Sequence, residues 1–167
     1  MKIQIMDRAK KKKLIAGLDD LGLKKIPQLL VKSGKERIRA YSGDLSTEQI
    51  MEIWRLLPIE GVGLYVGKDM INRNGVHEIR ISLDGMHLWK EQLTERVFQL
   101  TESQEEVWFK GDEVILTEEQ IGRITDGFVN VKSFSGDDFV GMGKIGSEGK
   151  ILYGFLPKER RRKSQTL

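Results

Sequence analysis

A chain of 167 residues has the length of one compact domain or two small ones, and 39% hydrophobic residues can build a core under a surface rich in charge. Cysteine is absent and the only histidines are His77 and His87, which excludes disulfides, thiolate metal sites and cysteine nucleophiles and leaves little for a histidine cage or a catalytic triad. Net charge is only +3 but segregated, with 13 basic and 8 acidic residues in 1–60, 10 and 16 in 61–156, and 5 and 1 in 157–167. Such ends attract a polyanion while the middle repels it.

No apolar run approaches the roughly 18 residues of a membrane span. The charged residues up to Lys13 are not followed by the apolar segment of a secretory signal. A cytoplasmic protein with no membrane partner is the expectation.

The first predicted element is a helix from about Asp7 to Leu21. Ile5, Leu14, Leu18 and Leu21 fall on one face, Lys10 to Lys13 encircle the first half, and Gly22 supplies the stop. Two apolar runs, Gln28 to Lys32 and Arg37 to Tyr41, flank Ser33-Gly34-Lys35 and read as a hairpin. Ser46 with Gln49 is a capping box for a helix carrying Ile50, Ile53, Trp54 and Leu57, which stops at Pro58.

Beyond Pro58 the texture becomes β-like. Val62 to Val66 and Val76 to Ser82 read as strands, the second alternating between Glu78 and Arg80 on one side and Ile79 and Ile81 on the other. Asp84 is expected to cap a short helix through Trp89. Arg96 to Leu100 reads as a strand, and Thr101 with Gln104 opens a short acidic helix that ends at Gly111. Phe128 to Phe134 and Phe139 to Lys144 form a second predicted hairpin, and Ile151 to Leu156 a last strand before Pro157. Short strands with glycine turns suggest a small barrel, with a domain boundary near residue 60.

Gly141-Met142-Gly143-Lys144 invites a phosphate-loop reading. That chemistry needs glycines leading into a helix N-terminus, and the Walker spacing is missing here. Close strand packing explains the glycines better, leaving Lys144 as a phosphate contact. Lys158, Arg160, Arg161, Arg162 and Lys163 are the sharpest charge run. Each phosphate they neutralise adds salt-dependent affinity, and arginine can also fork onto phosphate or stack on a base. The alternative is a frayed, solvated tail. Tyr153 and Phe155 lie just before it as stacking candidates, although strand alternation buries one face. Lys11 and Lys12 offer a second basic face, or simply a solvated one. His77 and His87 do not have a metal-binding arrangement, and Trp54, Trp89 and Trp108 belong to apolar faces.

Trp108-Phe109-Lys110-Gly111-Asp112-Glu113-Val114, Gly127-Phe128-Val129, Phe139-Val140-Gly141-Met142-Gly143-Lys144 and Pro157-Lys158-Glu159-Arg160-Arg161 follow one another in order. This succession resembles the PUA-like domain at the C-terminus of the RsmF branch of the Sun/Fmu-type RNA cytosine-5 methyltransferases. Gly63-Leu64-Tyr65-Val66-Gly67 resembles that family's opening glycine-rich strand, so the likeness covers about residues 61–162. Those enzymes attack cytosine with a cysteine, which this chain lacks, and no dinucleotide-type fingerprint is present. Tyr153-Gly154 stands where the family often has a polar pair.

The resemblance implies an α+β protein in which an N-terminal helix and hairpin unit, residues 1–60, packs on a C-terminal PUA-like β pseudo-barrel, residues 61–167. It implies non-catalytic binding of structured RNA, rRNA or tRNA, as an accessory factor in RNA modification or ribosome biogenesis. No cofactor and no metal is expected. The expected contacts are Lys144, Tyr153, Lys158, Arg160, Arg161, Arg162 and Lys163, with Lys11 and Lys12. The alternative is a protein-interaction module that docks in trans on an RNA methyltransferase catalytic subunit through the acidic segment 102–119.

Overall fold

The computed structural model describes residues 2–163. The fold is mixed α+β, with two five-stranded sheets and four α-helices among the described residues. The chain divides into two compact units. One comprises the residues up to Asp19 and Leu23–Leu88; the other comprises Asp20–Gly22 and the chain from Trp89 onward. The division expected near residue 60 instead falls inside the first unit. Strand pairing is the reason, because the strands after Pro58 complete the sheet begun by the hairpin before it.

In the first unit, strands β1 (Ile3–Ile5), β2 (Leu29–Ser33), β3 (Arg37–Tyr41), β4 (Leu64–Ile71) and β5 (His77–Ile81) pair in that order, all antiparallel. Helix α1 (Arg8–Gly17) is capped by Asp7, whose carboxylate accepts from the Lys10 amide at 2.8 Å. The helix is shorter than its apolar spacing predicts: Asp19–Leu21 tightens into a 3-10 turn. Ile5 does not share the helix face but pairs with Val31 in the sheet.

Helix α2 (Thr47–Leu56) begins at the predicted Ser46–Gln49 capping box. It covers one sheet face by placing Ile50 against Ile3 and Val31, with Tyr41 and Trp54 packed around them. Helix α3 (Leu83–Leu88) is capped by Ser82 and not by Asp84. The Ser82 hydroxyl accepts from the Gly85 amide at 3.1 Å and donates to the Tyr65 carbonyl at 2.8 Å.

In the second unit, β6 (Val97–Gln99), β7 (Val114–Ile115), β8 (Gly127–Lys132), β9 (Phe139–Ile145) and β10 (Ile151–Gly154) form a sheet ordered β6-β8-β9-β10-β7. Only the β6–β8 pair is parallel. Helix α4 (Glu102–Lys110) starts at the Thr101–Gln104 capping box and ends at Gly111, whose φ of 81° is the left-handed conformation glycine favours. Its Trp108 is 1% exposed at the centre of an apolar cluster with Val129, Val131, Val140, Ile145 and Leu152. The indole N–H donates to the Val140 carbonyl at 3.2 Å.

The glycines of the Gly-Met-Gly-Lys stretch serve this packing. A Cβ on Gly141 would sit 3.0 Å from the Trp108 ring, and so would one on Gly154 of the neighbouring strand. The indole therefore lies directly on sheet backbone. Asn130, fully buried on β8, donates to the carbonyls of Leu21 at 3.2 Å and Glu95 at 2.9 Å, which ties Asp20–Gly22 to this unit.

Candidate nucleic-acid interface

Directly paired residues of antiparallel strands project from the same face of a sheet. In the second unit Phe128 pairs with Lys144, and Lys144 pairs with Tyr153. The three side chains thus form a row across β8, β9 and β10. Alternation puts them opposite Val129, Ile145 and Leu152, which fill the Trp108 cluster. The Lys144 ammonium lies 5.1 Å from the Phe128 ring centroid, within cation–π range. Phe155 extends the row, its centroid 5.9 Å from that of Phe128 at a 50° tilt. Tyr153 is 39% exposed, and its ring lies over Gly146, where a Cβ would come within 3.1 Å of Cε2.

Arg96 fixes the start of the Phe128 strand. Its guanidinium donates to the carbonyls of Phe128 at 2.6 Å, Thr125 at 2.6 Å and Asp126 at 3.0 Å. Its backbone φ of 50° is unusual for a side-chain-bearing residue, and these bonds hold it there.

Among the described residues the basic run is anchored through Arg161 and Arg162. Pro157 leads into a 3-10 turn, Lys158–Arg160, and the chain then docks on the end of α4. Arg161 Nε donates to the Leu156 carbonyl at 3.0 Å while the side chain lies over Gly111. The Arg162 guanidinium stacks 4.7 Å from the Phe109 centroid, and its amide donates to the Phe109 carbonyl at 2.7 Å. Two of the five tail cations are therefore anchors. Lys158, Arg160 and Lys163 are exposed, as is Arg162 around its stack. Cations beside the C-terminal carbonyls of a helix also meet the favourable end of its dipole.

The predicted contacts thus gather in two clusters of the second unit, the Lys144–Tyr153 row and the docked tail. Lys11 and Lys12 belong to the first unit. Lys11 donates its ammonium to the Gln28 carbonyl at 2.7 Å, and burial lowers its pKa; Lys12 is exposed. Phe128 and Phe109, the aromatic partners of Lys144 and Arg162, carry no local mark of that role in the sequence. Only strand register and the helix-end docking bring those pairs together.

His77 faces the Asp69 carboxylate, which also receives Lys32 at 3.5 Å. Among the described residues, no group of three or more His, Cys, Asp or Glu side chains forms a candidate metal site. A shallow hollow of about 480 Å³ in the first unit is lined by Pro27, Gln28, Leu29, Tyr41 and Thr47 among others, and no carboxylate, histidine or cation lines it. No described helix is long and apolar enough to cross a membrane. No family model matches the chain, and no curated protein matches it.

Proposed function

We propose that this chain binds structured RNA, rRNA or tRNA, without transforming it, as an accessory factor in RNA modification or ribosome biogenesis. In this reading the second unit is a PUA-like domain. The observation that carries it is the Phe128–Lys144–Tyr153 row: a cation flanked by aromatic rings on a sheet face, with the tyrosine exposed. Unstacked bases of RNA loops and bulges pack on such rings, while lysine and arginine meet the phosphates. The exposed tail cations Lys158, Arg160 and Lys163, with Arg162, add phosphate contacts. Cytosine attack through a cysteine is outside the chemistry of this chain, because it has no cysteine.

Tyr153→Ala tests the row. Base stacking is worth about 1–3 kcal/mol per base, so an RNA stem-loop should bind the variant roughly 5- to 150-fold more weakly in an anisotropy titration. Equal affinity would remove the row from the interface.

A second reading has its own observation. Ile115, 75% exposed, and Ile121, 40% exposed, stand among the carboxylates Glu113, Glu118 and Glu119. Exposed apolar side chains in an acidic segment suit docking on a basic protein surface, such as an RNA methyltransferase catalytic subunit. Co-purification of a methyltransferase that survives nuclease treatment and is lost in Ile115→Asp supports this reading. Retention by that variant counts against it.

A further inference from the structure

On the face of the first sheet that α2 covers at Val31, strands β3, β4 and β5 carry a second cationic row. Arg37 on β3 pairs directly with Lys68 on β4, and Lys68 pairs directly with Arg80 on β5. Three positive side chains therefore stand in one row across three adjacent strands. Arg39 lies two residues along β3 on the same face, directly opposite Tyr65. Like charges directly opposite on a sheet are destabilising, and here two successive strand pairs place them so.

The fold compensates only one end of this row. Arg80 donates to Glu78 through Nε at 3.2 Å and Nη2 at 2.9 Å, and Asn72 steadies the other carboxylate oxygen at 2.7 Å. Among the described residues, no carboxylate pairs with Arg37, Arg39 or Lys68. Arg39 donates through Nη1 to the Gly63 carbonyl at 3.0 Å, but its buried Nε is left without a partner. Glu36, in the turn before β3, is the acidic residue that bears on Tyr65, and Arg37 and Arg39 act against it. The balance on this face is positive, and the half-buried Tyr65 ring stands directly opposite Arg39.

We propose that Arg37, Lys68 and Arg39, with Tyr65 beside them, form a second binding face that grips the phosphates of a single-stranded nucleic-acid segment and offers the tyrosine ring for base stacking. Cations in a row across strands suit a chain of regularly spaced phosphates, and a ring beside a row of cations suits a base. This face lies on a different unit from the row and tail above and does not depend on them.

The test uses the full chain, labelled for amide NMR and titrated with a short oligouridylate, and in a parallel arm with pyrophosphate. Oligouridylate should shift amides of β3 and β4 around residues 37–39 and 65–68. In Arg37→Gln/Lys68→Gln those shifts should be lost while the rest of the spectrum stays native. The log–log salt slope of oligouridylate binding should then fall by about 1.4, two phosphates at roughly 0.7 each for single strands. Shifts confined to residues 128–163 would overturn this inference and leave the second-unit site standing. Shifts confined to the first unit would do the reverse, and no shifts at all would count against both. Pyrophosphate binding as tightly as oligouridylate would overturn the strand-binding claim in favour of a small-phosphate site.

Discussion

The Arg162 guanidinium lies 4.7 Å from the centre of the Phe109 ring, and the same residue's amide donates to the Phe109 carbonyl at 2.7 Å. One residue of the tail thus holds the last turn of α4 by both side chain and backbone. Its neighbour Arg161 covers Gly111 just beyond that turn. The basic run is therefore two things at once, a clasp on a helix end and a set of cations held at a defined place. Ordering the tail in advance removes part of the entropy that binding would otherwise cost.

Gly111→Ala should loosen the clasp. The left-handed φ of 81° is unfavourable for alanine, and the added Cβ would meet Arg161 Cδ at 2.5 Å. A loss of more than about 1 kcal/mol is expected in a denaturant melt. Trypsin should also cut faster at Arg161 and Arg162. Unchanged cleavage would mean that the glycine does not support the tail.

Arg162→Gln keeps the backbone bond but removes the cation from the ring. The stack is worth about 0.5–1 kcal/mol at an exposed site. The expected result is a loss of that size in stability, with a smaller loss when Phe109→Leu is already present. Additive losses in the double-mutant cycle would contradict a direct contact.

Trp108→Phe should be costly although an aromatic ring remains. The Val140 carbonyl loses its 3.2 Å donor in a closed core, which costs about 1–3 kcal/mol before any cavity is counted. A melt shifted by less than that would place the indole hydrogen bond among the dispensable contacts.

Tyr65 should titrate above the usual 10.0 for a tyrosine, because burial disfavours the phenolate more than Arg37 and Arg39 favour it. The unfolded chain then loses its phenol proton first, so stability should fall as pH rises from the unfolded value toward the folded one. Arg37→Gln removes one stabilising cation and should move the transition further up. Phenolate absorbance of wild type, Tyr65→Phe and Arg37→Gln would read this; a Tyr65 transition below 10 would contradict it.

Local chemistry in the sequence located much of the fold. The Ser46–Gln49 and Thr101–Gln104 boxes begin helices as their spacing predicts, because each satisfies orphan amides within three residues. Both hairpins were likewise legible from turn residues between apolar runs. β1 and β7 were not, since three and two residues are too few for an alternation to register. The unit boundary was misplaced because β4 joins its sheet through Arg37, Arg39 and their neighbours, a long-range pairing with no local mark.

The candidate site was half legible for the same reason. Lys144, Tyr153 and the tail stand out by residue type, but their aromatic partners depend on register and docking. The glycines near Lys144 serve close packing, as the missing Walker spacing implies: Gly141 leaves room for Trp108, and Gly143 for Leu152 and Val131. Alternation along β3 put Arg37 and Arg39 on one side, yet only the pairing with β4 and β5 gathers Lys68 and Arg80 beside them.

RNA binding through the docked tail is read most directly in the salt dependence of affinity for a structured RNA, comparing wild type with Lys158→Ala/Arg160→Ala/Lys163→Ala. These three exposed cations leave the Arg161 and Arg162 anchors in place. The triple variant should bind more weakly, with a log–log slope smaller by about 2 to 3, at roughly 0.7–0.9 per phosphate released. An unchanged affinity and an unchanged slope would contradict binding through the tail.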